Sequence, residues 1–494
     1  MNLKLMLEET ARQYGSKTAI ILGEQRLSYT ELDTTSNKVA NALIKMGVGK
    51  GDRVAILLPN SPEFVVIYFG VIKTGAIAVP LDVRYKVDEL SSLFDNSQPK
   101  VLVTKSPFLE PLVLALPQFK SIEHVIDASP RNDTQFLSYE EIMATSSAQR
   151  IEAEPKPEDI AYIAYTSGPA FHPRGVMLSH ETLVTEPVIL GDELQQTDKD
   201  VVILFALPLH HIFGLVGILL TSISKGSTVV ISPGLSISNL WETIERERAT
   251  IFMGVPYIYA LMVNMAEGGI NNDLSSFHLC TSAGAPMTID IMERFKQYYG
   301  LDIIELWGQT ESTGQITCQP LDGSGKLGSV GRVTLGWELK VVDDNGNELS
   351  PNQSGELIIK GPIMKGYYKH PQATAETIKG GWLHTGDIGR VDEDGYVFIS
   401  GRKRKTIITK GQNIYLSDVE SVLCAYPKIA EVAVIGIPDK LGGEIVRAVI
   451  TLKEGEVATE QEVKQFCLEH MANYKVPKQI IFIDSLPKGA KCSQ

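Results

Sequence analysis

Residues 165–175 read YTSGPAFHPRG. Thr166, Ser167, Gly168, Arg174 and Gly175 are residue types that hold phosphate. Glycine lets backbone N–H groups approach closely, hydroxyls donate, and a guanidinium supplies charge. The GK[ST] ending of a Walker A loop is absent, and taken alone the stretch reads equally well as a turn closing a strand. Three further constellations follow it. ELWGQTE (305–311) ends a strand with Gly308 and supplies the Thr310 hydroxyl and the Glu311 carboxylate. WLHTGD (382–387) offers Thr385 and Asp387, an acid suited to a ribose diol, and GRKRK (401–405) presents Arg402. Each of these is also compatible with an ordinary surface or turn position.

The elements that must position these groups alternate in type. RVAILLP from Arg53 reads as a buried strand. NSPEFVVIYFGVIKTG reads as a helix capped by Asn60 or Ser61, with Pro62 in its first turn and Gly75 as terminator. Phe64, Ile67, Tyr68, Val71 and Ile72 fall at helical spacing, which predicts one buried face. AIAVPLD, KVLVTK, VVILFALP, STVVIS, ATIFMGVP and LDIIELWG are further strands, most of them separated by helical segments. That alternation predicts an α/β fold with two parallel-sheet subdomains covered by helices. Beyond about Gly325 the texture changes to antiparallel strands, with turns at Asn345-Gly346 and Ser354-Gly355, and a small barrel or sheet is expected. Ser417 and Glu420 form a capping-box pattern opening a short helix, and another helix begins near Glu460. The expected organisation is an N-terminal domain over 1–402 and a small α+β domain over 403–494.

The bulk numbers exclude several classes. A chain of 494 residues with 44% apolar and 21% charged residues buries a substantial core. A net charge of −13 argues against nucleic-acid binding. Glu8 and Glu9 interrupt what a signal peptide would need as an apolar run. The longest apolar stretch, from Ile212 to Ile223, is too short for a membrane span and reads as a buried wall or helix. The five cysteines lie far apart without metal spacing, which suits a reducing, cytoplasmic setting.

Together, in this order and spacing, the motifs resemble the adenylate-forming superfamily of acyl-CoA synthetases, nonribosomal adenylation domains and luciferase. The resemblance extends through LSYTELDTTSNKVANAL, GDRVAILLPNSPEF, PLHHIFG, TSAGAP, GELIIKGPIMKGYY and KGQNIYLSDVE, and is nearest to fatty-acyl and aryl CoA ligases. It implies ATP, Mg²⁺ and CoA, and two half-reactions. A carboxylate displaces pyrophosphate from ATP to give an acyl-adenylate, and a thiol then displaces AMP. It further implies that Thr166 and Glu311 hold Mg²⁺ and phosphate and that Thr310 meets the α-phosphate. Ala285 and Pro286 would line the adenine site, with Asp387 and Arg402 on the ribose. His211, Phe213, Val255, Gly284, Trp307 and Gly308 would border the acyl pocket, although a histidine among apolar residues is also often simply packed. Lys410 and Gly411 would lie beside the pantetheine tunnel, and Arg404 at the hinge of a mobile small domain.

The chain departs from the family pattern twice, both times at phosphate. Where the family reads TSG[ST]TGxPKG, this chain has Pro169, Ala170 and Phe171, with Arg174 for the lysine. Proline lacks an N–H, and Phe171 loses the freedom of glycine. At the C-terminus, SLPKGAKCSQ keeps Lys488, but Lys491 stands two places before the family's catalytic lysine, where Ser493 falls. The resulting expectation is an acid–CoA ligase with slowed adenylation and intact thioester formation. The alternatives are a weakened member that only binds nucleotide or acyl ligand, or one that passes its acyl group to a carrier protein or an amine.

Overall fold

The computed structural model describes residues 1–130, 136–166, 173–403, 406–409, 412–439, 444–483 and 486. Two large sheets form the bulk of the molecule. The first has seven strands, ordered Leu137–Ser138, His124–Asp127, Val101–Thr104, Arg53–Leu57, Ile77–Pro80, Ile160–Thr166 and Arg174–Ser179. All its pairs are parallel except the last, an antiparallel hairpin. The second has nine strands, with a parallel centre of Thr18–Leu22, Thr228–Ser232, Val201–Phe205, Ile251–Gly254, Leu279–Ser282 and Ile303–Gln309. Antiparallel strands flank this centre on both sides. The fold is thus α/β, as the alternating apolar runs predict. The antiparallel part after the second sheet is an open five-stranded sheet built around Gly355–Lys360 and Trp382–Val391.

The helix over Pro62–Lys73 begins as its sequence predicts, with Ser61 accepting from the Phe64 N–H and Gly75 at φ +78° beyond its end. One buried face is not enough to describe it, because all its residues except Glu63 are buried. The reason lies in its neighbour, the Tyr29–Lys45 helix. Gly70 lets Val39 approach so closely that an added Cβ would sit 2.5 Å from it. Even Lys73 is enclosed, its ammonium bonded to Asp33 Oδ1 at 2.6 Å and Asn37 Oδ1 at 2.7 Å. The run near Ile212 is a helix, wound in wide π-type turns over Phe213–Leu220. The helix expected to open at Ser417 begins one residue earlier, so Ser417 falls inside it rather than at its N-cap. The Leu416–Cys424 helix has Tyr415 at its N-cap, and Glu420 accepts instead from the Val434 N–H at 3.0 Å. A true capping box opens the Glu460–His470 helix, where Thr459 and Glu462 reciprocate.

A separate apolar core runs from Ile407 to Ile480, through Val419, Val432, Val446 and Val463. This unit docks on the Val87–Ser97 helix. Lys475 Nζ meets Glu89 Oε1 at 2.5 Å with both side chains 5% exposed, and His470 Nδ1 lies 2.9 Å from Asp88 Oδ2. Asp418, 2% exposed, belongs to the same buried cluster, and among the described residues neither of its carboxylate oxygens has a hydrogen-bond partner. Burial pushes its carboxyl up to about 8, with Lys475 opposing and Glu89 reinforcing the shift. A carboxyl raised in the folded state stabilises fully below its ordinary range, and that stability is lost as pH rises through about 8. The thermal midpoint is therefore expected to fall between pH 6 and 9, and Asp418→Asn to flatten the fall. Scanning fluorimetry across that range checks this, and parallel wild-type and variant curves would refute it.

Cys280, Cys318 and Cys467 are buried free thiols, whereas Cys424 is disulfide-bonded, which the scattered spacing does not anticipate. Among the described residues no helix is long and apolar enough to cross a membrane.

Candidate active site

Thr166 and Arg174 face each other in register at the open end of the Ile160–Thr166/Arg174–Ser179 hairpin, with Gly175 opposite Tyr165. Gly175 is required there, since a Cβ would sit 2.6 Å from Ile163 Cγ2. The Arg174 guanidinium lies 5.6 Å from the centroid of the Tyr367 ring. The Tyr367 hydroxyl donates to Glu311 Oε1 at 2.8 Å. A cation, an aromatic and a carboxylate from three distant segments thus share one corner. Ser167 and Gly168, with the unusual Pro169, Ala170 and Phe171, lie outside the described residues, as do Arg404, Lys410, Gly411 and Lys491.

Glu311 and Thr310 occupy a short 3-10 turn at the end of the Ile303–Gln309 strand. The turn is tight because Gly308 has no side chain, and a Cβ would fall 1.9 Å from the Gly314 oxygen. Ser312 Oγ bridges its two arms, lying 2.8 Å from the Gln309 oxygen and 2.6 Å from that of Gly314. Two cavities meet at this turn, sharing Gln309, Thr310 and Arg402. One, of about 240 Å³, is ringed by polar groups including Glu311, Tyr367, Thr385, Lys403 and Tyr415. The other, of about 140 Å³, runs past His211, Phe213, Val255, Gly284 and Gly308.

Asp387 stands behind the shared wall, 1% exposed. Its Oδ2 accepts from Trp307 Nε1 at 2.9 Å and its Oδ1 from Arg402 Nε at 2.5 Å. Trp307 is therefore not among the residues lining the second cavity. Its indole fixes the carboxylate instead. Ala285 is half-buried and Pro286 exposed, immediately after the cavity-lining Gly284 at φ +82°. His211 Nδ1 accepts from the Phe213 N–H at 3.3 Å, and burial lowers its imidazole to about 4, so it is neutral at physiological pH. Gly214 allows this turn, because a Cβ there would strike the Pro208 oxygen at 2.3 Å.

Mg²⁺ usually keeps several waters and takes one or two carboxylates plus substrate phosphates. Among the described residues no cluster of three metal-ligating side chains exists. Glu311, on the wall of a polar cavity also lined by Glu356 and Glu376, nevertheless fits such an ion.

Sequence reasoning misses several residues that the fold brings here. Asp82, Arg84, Tyr85, His210, Gln412 and Tyr474 all line the second cavity. The adjacent histidines of PLHHIFG are the one signal that points to His210. Tyr474 lies almost four hundred residues from Arg84 in the chain, and nothing local connects them.

Residues 7–368 match the family model of the AMP-binding enzyme, and residues 418–491 that of the AMP-binding enzyme C-terminal domain. The long-chain-fatty-acid–CoA ligase FadD13 of Mycobacterium tuberculosis is 32% identical over 94% of this chain and 90% of its own. The indoleacetate–CoA ligase of Aromatoleum aromaticum is 33% identical over 99% and 96%. The o-succinylbenzoate CoA synthetase MenE of Bacillus subtilis, solved with its product analogue OSB-NCoA, superposes with a TM-score of 0.87 at 30% identity, covering 98% of this chain and 95% of MenE. With the motifs gathered at one turn between two cavities, these likenesses assign the chain to the AMP-binding enzyme family, as an AMP-forming acid–thiol ligase.

Proposed function

We propose that this enzyme joins a fatty or aromatic carboxylic acid to CoA through an acyl-adenylate, with its adenylation half slowed. The observation that carries the reading is the pair of cavities sharing Gln309, Thr310 and Arg402. A reacting carboxylate in the second cavity would meet the α-phosphate at Thr310, while the remaining phosphates lie toward Glu311 and Arg174. The charge problem of the first step, an anion approaching a polyanion, falls to these groups. Mg²⁺ held by Glu311 and Thr166 would supply further charge neutralisation. Asp387 has acceptor capacity beyond the bonds from Trp307 and Arg402, and exchange of Arg402 for a ribose hydroxyl would open it to nucleotide. Ala285 and Pro286 would flank the adenine.

The acyl class rests on the wall of the second cavity. Phe213, Val255 and Gly217 give it an apolar stretch, and its one carboxylate, Asp82, is held by Arg84. The small domain is taken as residues 403–494, hinged at Arg404, with Lys410 and Gly411 beside the incoming thiol. The buried free thiols Cys280, Cys318 and Cys467 favour a reducing, cytoplasmic setting, against which the disulfide at Cys424 stands. A second reading, a weakened member that binds without turning over ATP, is favoured by the altered loop at Pro169 and Phe171 and by the displaced Lys491.

ATP–pyrophosphate exchange over a panel of fatty and aromatic acids, run beside thioester formation from supplied acyl-AMP and CoA, separates these readings. Weak exchange with one acid class and ready thioester formation is the expected result. Silence in both assays, with AMP binding retained, would leave only the second reading.

A further inference from the structure

At the mouth of the second cavity an acid and an imidazole face each other. Asp82, 2% exposed, follows the Ile77–Pro80 strand, and its Oδ2 lies 3.5 Å from His210 Nε2. Both ends of this pair are fixed. Arg84 grips the carboxylate through Nε to Oδ1 at 2.8 Å and Nη2 to Oδ2 at 2.6 Å. The Tyr162 hydroxyl donates to the His210 carbonyl at 2.8 Å. Asn60 holds the preceding turn, donating to the Leu207 oxygen and accepting from the Leu209 N–H, each at 2.8 Å.

The charge states follow from these contacts. Burial raises the Asp82 carboxyl, but His210 and Arg84 together outweigh it and hold the group below its ordinary value, so Asp82 is ionised. Burial lowers the His210 imidazole, Asp82 opposes this and Arg84 adds to it, so the ring is neutral at pH 7. An anion at Nε2 keeps the ring proton on Nε2 and leaves Nδ1 as an acceptor. No described protein group hydrogen-bonds Nδ1 of His210, and the residue lines the same cavity as Thr310 and Gly284. The other groups around it are Tyr85 from its own loop, His211 beside it, and Tyr474 and Arg402 across the cavity. His211 cannot share the role, since its Nδ1 already accepts from the Phe213 N–H.

We propose that His210, oriented by Asp82, is the general base for the thiol that captures the acyl group. The inference rests on the ligase reading above. In the step, the S–H bond breaks and its proton passes to His210 Nδ1. The sulfur pair forms the S–C bond at the acyl carbonyl, and the C–O bond to phosphate breaks with its electrons leaving on AMP. The imidazolium then returns its proton to water. An alkyl thiol is mostly protonated at pH 7, and a placed base is worth about 10²–10⁴-fold.

The test is single-turnover thioester formation by the full chain from dodecanoyl-AMP or benzoyl-AMP and CoA, from pH 6.5 to 9.5. His210→Gln and His210→Asn should each slow the step about 100-fold at pH 7, and Asp82→Asn about tenfold, with acyl-AMP affinity kept within about twofold. The histidine deficit should shrink as pH rises toward the thiol's own pKa, because CoA then ionises unaided. Unchanged rates in the histidine variants would overturn the inference while leaving the ligase reading standing. So would a deficit constant with pH and accompanied by weakened acyl-AMP binding, the mark of a packing role. No thioester from the wild type would overturn the ligase reading and this inference with it.

Discussion

Replacing Pro169, Ala170 and Phe171 together by Thr, Thr and Gly is expected to accelerate ATP–pyrophosphate exchange by about 10²-fold, the order gained per well-placed donor to developing charge. Three physical changes act in one direction. A backbone N–H returns where proline has none, two hydroxyls return as donors, and glycine permits the close backbone approach that a phosphate loop uses. On either side of the replaced residues the hairpin sets Thr166 opposite Arg174 in register and packs Gly175 on Ile163. Thioester formation from supplied acyl-AMP passes through no triphosphate and should be unchanged, which makes it the internal control. If the wild type already exchanges at the rate of the repaired chain, the loop is a tolerated variation and slowed adenylation is wrong.

The second large effect is expected at Asp387. Asp387→Ala removes the acceptor for both Trp307 Nε1 and Arg402 Nε. Breaking a fully buried ion pair costs about 3–5 kcal/mol, because the surviving charge is left without a partner. Arg402 keeps 28% exposure and can turn to water, so the loss here should be nearer about 2 kcal/mol once solvent screening is allowed for. AMP affinity should fall at least tenfold, as the ribose acceptor goes with the carboxylate. Asp387→Asn retains one acceptor and should lie between the two. Calorimetric titration with AMP alongside thermal melts reads both consequences. An alanine variant that binds AMP like the wild type would remove Asp387 from the nucleotide site and leave it a purely structural anchor for Trp307.

Much of this protein is legible along the chain. Alternating apolar runs and helical periodicity foretell parallel sheets under helices, because period and burial are local consequences of side-chain type. The Ser61 cap and the Gly75 stop are visible for the same reason. The phosphate-loop residues, ELWGQTE and WLHTGD announce nucleotide chemistry through residue type and order alone. Each local reading fails where a distant neighbour intervenes. The Pro62–Lys73 helix is enclosed on all sides because the Tyr29–Lys45 helix presses Val39 onto Gly70. Glu420 abandons its cap for the Val434 N–H, an acceptor's best partner being set by the strand that folds over it. Trp307 turns from the acyl wall to Asp387, because alternation along a strand sends neighbouring side chains to opposite faces.

What the sequence by itself determined is the kind of fold and the kind of chemistry. Those depend on composition and short-range pattern. Only the tertiary structure decided which groups meet: Arg174 on Tyr367, Tyr367 on Glu311, Lys475 on Glu89, and Asp82 on His210. Such pairs join segments far apart in the chain. Their free energies come from burial and fixed distance, and neither exists until the two sheets and the small domain have packed.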